Sequence, residues 1–236
     1  MKRSASDYHL RLEVLKEASI DYRFLLSRGY NRELSLKFIG DKYGLSKAER
    51  MALYRAVFSK EEALVRMSKL SPPNRLIDRV VSIDGFNVLM TVKAALLRFP
   101  LLLCDDGFVR DLLSVFERIK VDMVIHIALE LLIQVLLKYT PKRVFLFFDA
   151  NVSKSGEFAA HVRKRLASVG LSGYARAVRK ADIMTMTQCD TVASSDSVII
   201  LNSRHVIDLG GYIAKLVAPE LIIRLPYEPL AQRSGS

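Results

Sequence analysis

Four aspartates sit where a parallel sheet would gather them. Asp84 ends the apolar run Val80-Val81-Ser82-Ile83, and Asp149 ends the run from Arg143 to Phe148. Asp182 lies just beyond Tyr174 to Val178, and Asp196 closes the segment Asp190-Thr191-Val192-Ala193-Ser194-Ser195. In an open α/β sheet the carboxyl ends of the strands share one edge, and ligands bind in the crevice outside it. Carboxylates brought together there repel one another unless a cation neutralises them. An all-oxygen donor set of this kind suits Mg²⁺ or Mn²⁺. Each acid alone also reads as a helix cap or turn former; the coincidence of four points to a site. Asn87 is left at the same edge, and Gly85 lets the chain turn sharply behind the first strand.

The elements that must position these acids alternate from Val80 onward. Strands are predicted at Val80–Ile83, Arg143–Phe148, Tyr174–Val178, Asp190–Asp196 and His205–Leu209, with helices at Val88–Leu97, Phe158–Val169 and Gly210–Val217. Such alternation predicts a parallel, doubly wound sheet with right-handed crossovers. Leu101 to Cys104 fits a short extra strand or a buried turn. Asp105, Asp106 and Asp111 follow closely, and Asp106 can cap a helix starting near Phe108 that reaches Tyr139 in two pieces. The loop Ser153-Lys154-Ser155 precedes a helix and suits phosphate. It lacks the spacing of a P-loop, so ATP is not indicated.

The chain before this sheet is helical. Leu10, Val14, Leu15, Ala18, Tyr22, Leu25 and Leu26 recur at helical spacing within a predicted helix from Ser4 to Leu26. Gly29 reads as its C-terminal stop and Asn31 as the cap of the next helix. Ser46 and Glu49 form a capping box opening a third helix through Phe58, and Ser59 caps a fourth to Leu70. Ser71-Pro72-Pro73-Asn74 marks the boundary, giving a basic all-α domain (1–74) and an α/β domain (75–236). The unit Asn31 to Phe58 has the outline of a helix-turn-helix, with Lys47, Arg50 and Arg55 on its second helix as candidate phosphate contacts.

Charge bears on partners. The chain of 236 residues has a formal net charge of +11. Up to Arg79 it carries 17 basic against 10 acidic residues, and beyond it 19 against 15. A basic surface of this kind attracts nucleic acid. No apolar run approaches the roughly 18 residues of a membrane span, and no signal segment opens the chain, so a cytoplasmic protein without a membrane partner is expected. Cys104 and Cys189 are too few for a disulfide framework or zinc cluster.

Ile83-Asp84-Gly85-Phe86-Asn87-Val88-Leu89 resembles the opening motif of NYN nucleases, a branch of the PIN-like superfamily. Phe147-Phe148-Asp149-Ala150 and Val192-Ala193-Ser194-Ser195-Asp196 resemble the segments that carry later acids of that branch, and Asp182 matches its acid at the head of a short helix. The resemblance spans about Val80 to Val217. It implies a five-stranded parallel sheet ordered 3-2-1-4-5, flanked by helices, and a metal-dependent nuclease acting on RNA. In such an enzyme Asp84, Asp149, Asp182 and Asp196 hold one or two Mg²⁺ or Mn²⁺ ions. Asn87 orients a carboxylate or water, and Ser153, Lys154 and Ser155 contact phosphate. Ser197-Val198-Ile199 follows Asp196 where that superfamily often has a second acid or polar group. The alternative is therefore a nucleic-acid-binding protein without catalysis, using the helical domain and a degenerate PIN-like fold. The whole chain also resembles an uncharacterised archaeal family that joins a helical domain to a PIN-like one.

Overall fold

The computed structural model describes residues 10–113 and 117–225. Its centre is β2 (Val80–Asp84), whose inner residues are fully buried. A run this apolar suits a strand covered on both faces, as parallel strands are. β2 pairs in parallel with β5 (Arg143–Asp149) on one side and β7 (Thr191–Ala193) on the other. β6 (Gly173–Val178) adds beyond β5, and β8 (His205–Ile207) beyond β7. A two-residue strand, β1 (Leu70–Ser71), pairs with β8 and makes the sheet six-stranded, in the order β1-β8-β7-β2-β5-β6. Five strands were expected; the sixth comes from the end of the helical block, where Leu70 was read as helix.

The crossovers are α5 (Gly85–Leu96), α6 (Met123–Tyr139) and α7 (Ser155–Ser168), followed by α8 (Ala181–Gln188), α9 (Ser197–Asn202) and α10 (Leu209–Val217). Between α5 and α6 the chain forms a second sheet. In it β3 (Leu101–Leu103) pairs antiparallel with β4 (Val109–Asp111) and parallel with β9 (Ile222–Arg224). The helix expected near Phe108 is thus a strand. The turn before it is closed by the backbone, with the Gly107 N–H on the Cys104 carbonyl and Gly107 at φ +84°, while the Asp106 carboxylate takes both terminal nitrogens of Arg110, at 2.9 and 2.7 Å, instead of capping a helix. The continuation of that predicted helix over 114–116 lies outside the described residues.

The helical block follows its local signals closely. α1 (Leu12–Ser27) ends with Gly29 at φ +81°, its N–H bonded to the Leu26 carbonyl and that of Tyr30 to Leu25, a Schellman stop. Asn31 caps α2 (Arg32–Lys42), and Ser46 with Glu49 forms a complete capping box on α3 (Lys47–Ala56). Ser59 caps α4 (Lys60–Met67). The part of the first helix predicted over residues 4–9 lies outside the described residues. The block shares its core with the second sheet: Leu15, Tyr22, Leu53 and Phe58 pack in one cluster with Leu102, Cys104 and Leu112.

Gly85 serves a purpose other than the sharp turn expected of it. A Cβ built there would meet the Phe148 ring at 2.2 Å, and Phe148 is itself locked edge-on to Phe86 and Phe158 at 5.0 and 5.1 Å. Gly85→Ala is therefore expected to destabilise by about 1–3 kcal/mol through overpacking. Urea denaturation checks this. A variant as stable as the wild type would mean that the aromatic cluster yields without cost.

Candidate functional site: a carboxylate cavity at the sheet edge

β2 and β5 end side by side, so Asp84 and Asp149 emerge at one edge of the sheet. The next chain segments add Asp182, in the first turn of α8, and Asp196, the N-cap of α9. All four acids line one cavity of about 360 Å³. The expected convergence of these four acids on one cavity is present. Asn87 and the cations Arg55 and Arg179 lie on the same walls.

A fifth acid was missed. Asp111, at the end of β4 and almost fully buried, also faces this cavity. Sequence reading grouped it with Asp105 and Asp106 as part of an acidic turn, but those two are committed elsewhere. Asp105 holds Arg23 of α1 through two bonds of 2.9 Å, and Asp106 holds Arg110. The signal that could have singled out Asp111 is its setting, since it sits between Val109-Arg110 and Leu112-Leu113.

Hydroxyls hold the site together. The Ser194 hydroxyl donates to the Asp84 carboxylate at 3.0 Å and accepts from the Asp196 N–H at 3.0 Å, tying the two acids' segments together. The Asn87 side-chain oxygen accepts from the Ser195 N–H at 2.8 Å and from its hydroxyl at 3.1 Å. Asn87 thus orients the loop after β7, a positioning role, while its backbone N–H bonds the Asp84 carboxylate. The Asp196 carboxylate accepts from the N–H groups of Val198 and Ile199, and one Asp149 oxygen accepts from Asn151 at 2.8 Å. The loop expected to be strand up to Asp196 stops being strand at Ala193, because Ser194 and Ser195 turn inward to these partners.

Asp84 carries the electrostatic signature of the site. Its pKa is raised to about 7: burial is the largest cause, the nearby charges of Asp196 and Asp182 add to it, and the hydrogen bonds from Ser194 and Asn87 oppose it. A group poised near neutrality in a cleft is a functional-site signal. The donor chemistry, carboxylate oxygens only, suits a hard divalent cation. The spacing is more open: among the described residues, no three His, Cys, Asp or Glu side chains stand as a ready-made metal-binding group.

The other predicted contacts are spread more widely. Arg55 is on the cavity wall. Arg50 is engaged within the helical block, bonding Asp41 at 2.8 Å and the Leu45 carbonyl while its guanidinium lies over Gly40. Lys47 is exposed at the start of α3. Ser153 and Lys154 are exposed ahead of α7 and Ser155 is buried at its first turn; none of the three lines the carboxylate cavity. Among the described residues no helix is long and apolar enough to cross a membrane.

Fold and cavity define an α/β protein with an acidic cleft at its sheet edge, preceded by a basic helical block. Residues 73–212 match the family described as "Domain of unknown function (DUF5616)", and the chain belongs to that family. Residues 14–69 match a second description, "Protein of unknown function (DUF434)". A relative, "Uncharacterized protein MJ0935" of Methanocaldococcus jannaschii, is 33% identical over 197 residues, covering 83% of this chain and 94% of that protein. The resemblance to an uncharacterised archaeal family is in keeping with these matches, and neither family description mentions PIN-like or NYN proteins. No solved structure matches the chain.

Proposed function

We propose that this protein is a metal-dependent nuclease of PIN-like type that hydrolyses phosphodiester bonds in RNA. One observation carries the reading: Asp84, Asp111, Asp149, Asp182 and Asp196 come from five separate segments and line one cavity at the carboxyl edge of a parallel sheet. Evolving such a cluster without a cation or proton to relieve it would be costly. Within the six-stranded sheet, the run β8-β7-β2-β5-β6 supports comparison with the order that the PIN-like resemblance implies. Asp84, Asp149, Asp182 and Asp196 would hold Mg²⁺ or Mn²⁺, which when bound supplies Lewis-acid activation of water. The chain's own residues do the rest. Ser194 and the Asn87 backbone hold the Asp84 carboxylate, Asn87 fixes the following loop, and Arg55 and Arg179 give the mouth of the cleft positive charge for a phosphate backbone.

Binding of the cation must displace the proton that Asp84 holds below about pH 7. Manganese is therefore expected to bind more tightly at pH 8 than at pH 6, and to raise the melting temperature more at the higher pH. Calorimetric titration with Mn²⁺ at both pH values tests this. No binding at millimolar Mn²⁺ at pH 8 would remove the metal-dependent mechanism. It would leave the second reading, a nucleic-acid-binding protein without catalysis, which the open spacing of the carboxylates favours.

A further inference from the structure

The face of the sheet that carries Asp149 also holds a groove. Side chains alternate along a strand, so Arg143, Phe145, Phe147 and Asp149 of β5 share one face. β6 runs in register beside it, Phe145 next to Tyr174 and Phe147 next to Arg176, which puts Tyr174 and Arg176 on that face too. α8 packs over β2 and β5 here and scarcely touches β6. What remains beside α8 is a groove of about 510 Å³. Phe145 and Phe147 belong to its floor, Met184 and Gln188 of α8 to one wall, and Arg143, Tyr174 and Arg176 complete its lining.

No acidic side chain lines this groove. Arg143 and Arg176 are exposed, and among the described residues neither guanidinium has a hydrogen-bond or ion-pair partner. Tyr174 is 38% exposed and stands edge-on to Phe145, with ring centres 6.5 Å apart. A surface ring beside free cations is a stacking platform that accepts any base, since every base has a π-face. Addition of a protein strand to β6 is obstructed. The carbonyls of Ser172 and Val178 go to the β5 side, so by alternation that of Ala175 points to the free edge, where Arg163 of α7 already takes it at 2.6 Å. The groove also connects with the carboxylate cleft. Asp149 ends the β5 row and Asp182 opens α8, while the turn between β6 and α8 carries exposed Lys180 and Arg179, the latter on the cleft wall. From Arg143 to Asp149 the row is about 20 Å long.

We propose that this groove is a track for single-stranded RNA, on which Arg143 and Arg176 hold backbone phosphates and Tyr174 stacks on a base. The free guanidinium forks suit phosphate oxygens, and the missing acids leave nothing to repel them. The proposal deepens the nuclease reading and rests on it: a strand seated along β5 and β6 is led past Arg179 to the carboxylates. It binds without regard to sequence, because the contacts are phosphate and ring face only.

The test measures binding of a mixed-sequence single-stranded RNA decamer to the full chain in EDTA, so that nothing is cut. The groove variants are the double substitution Arg143→Gln with Arg176→Gln, and Tyr174→Thr, with Tyr174→Phe keeping the ring. A control, Lys164→Gln with Lys215→Gln, removes the same charge from α7 and α10; all these positions are exposed. The arginine double is expected to lose about tenfold in affinity and to flatten the slope of log affinity against log salt by about 1.4, two phosphate contacts' worth. Tyr174→Thr is expected to lose about fivefold and Tyr174→Phe nothing. The control is expected to lose less than about twofold. With Mn²⁺, the arginine double is expected to raise KM and keep kcat, because the groove holds substrate away from the reacting linkage. Should Tyr174→Thr fail to fold, the arginine double decides. Groove variants that bind RNA no worse than the control overturn the track. So does light scattering that shows a dimer lost in those variants while RNA affinity is kept, which assigns the groove to a second copy of the chain. Either result leaves the nuclease reading standing if the wild type still cuts RNA with Mn²⁺. Groove-dependent binding by a protein that never cuts keeps the track and removes the nuclease.

Discussion

Asp84→Asn is expected to stabilise the metal-free protein at pH 8, on the order of 2–4 kcal/mol, and to change it little at pH 4. The folded-state pKa of Asp84, about 7, lies above the value of an unfolded aspartate. Between the two values the folded protein binds a proton that the unfolded chain does not. The stability contributed by that proton is fully present below about pH 4 and is lost as pH rises through about 7. Asparagine never ionises, so the variant escapes the loss. It can also keep the Ser194 hydroxyl bond, because its side-chain oxygen still accepts. Urea denaturation in EDTA at both pH values measures the difference. An identical offset at pH 4 and pH 8 would show that Asp84 is not held protonated, and the electrostatic description of the cleft would fail.

Asp106→Asn is expected to cost about 3–5 kcal/mol, because it leaves Arg110 as an uncompensated charge in the interior. Asp106 is fully buried and Arg110 nearly so, and they meet through two bonds of 2.9 and 2.7 Å. The damage should spread to the cleft, since Arg110 also holds the Ser195 carbonyl and thereby the loop carrying Asp196. Replacing both partners at once, Asp106→Leu with Arg110→Met, should recover most of the lost stability, as buried pairs exchanged for apolar residues commonly do. A loss below about 1 kcal/mol in Asp106→Asn, measured in the same denaturation assay, would mean that water reaches the pair.

What could be read from the sequence was what local physics decides. The caps at Asn31, Ser46 and Ser59 depend on residues three positions away, and all were legible. Asp84 and Asp149 were legible because an apolar strand ending in an acid has one place to put it. The rest depends on partners far along the chain. Ser194 and Ser195 read as the end of a strand; their partners, Asp84 and Asn87, lie 110 and 108 positions earlier. Asp106 looked like a helix cap until Arg110 was seen turned back upon it. Asp111 joins the cleft only because β4 leaves the helical pattern to pair with β3. Arg50 looked like a surface cation, yet the missing side chain at Gly40 gives it a seat inside the helical hairpin.

The claim that these carboxylates perform hydrolysis is tested most directly by one measurement, cleavage of single-stranded RNA by the purified full chain with Mn²⁺, beside Asp84→Asn and an EDTA control. Metal-dependent cutting by the wild type is expected, with a loss of at least about a hundredfold in Asp84→Asn while RNA binding is kept, because removing a carboxylate from a cleft that faces phosphates relieves repulsion. A wild type that binds RNA but yields no metal-dependent products, or an Asp84→Asn variant that cuts as fast as the wild type, would contradict it.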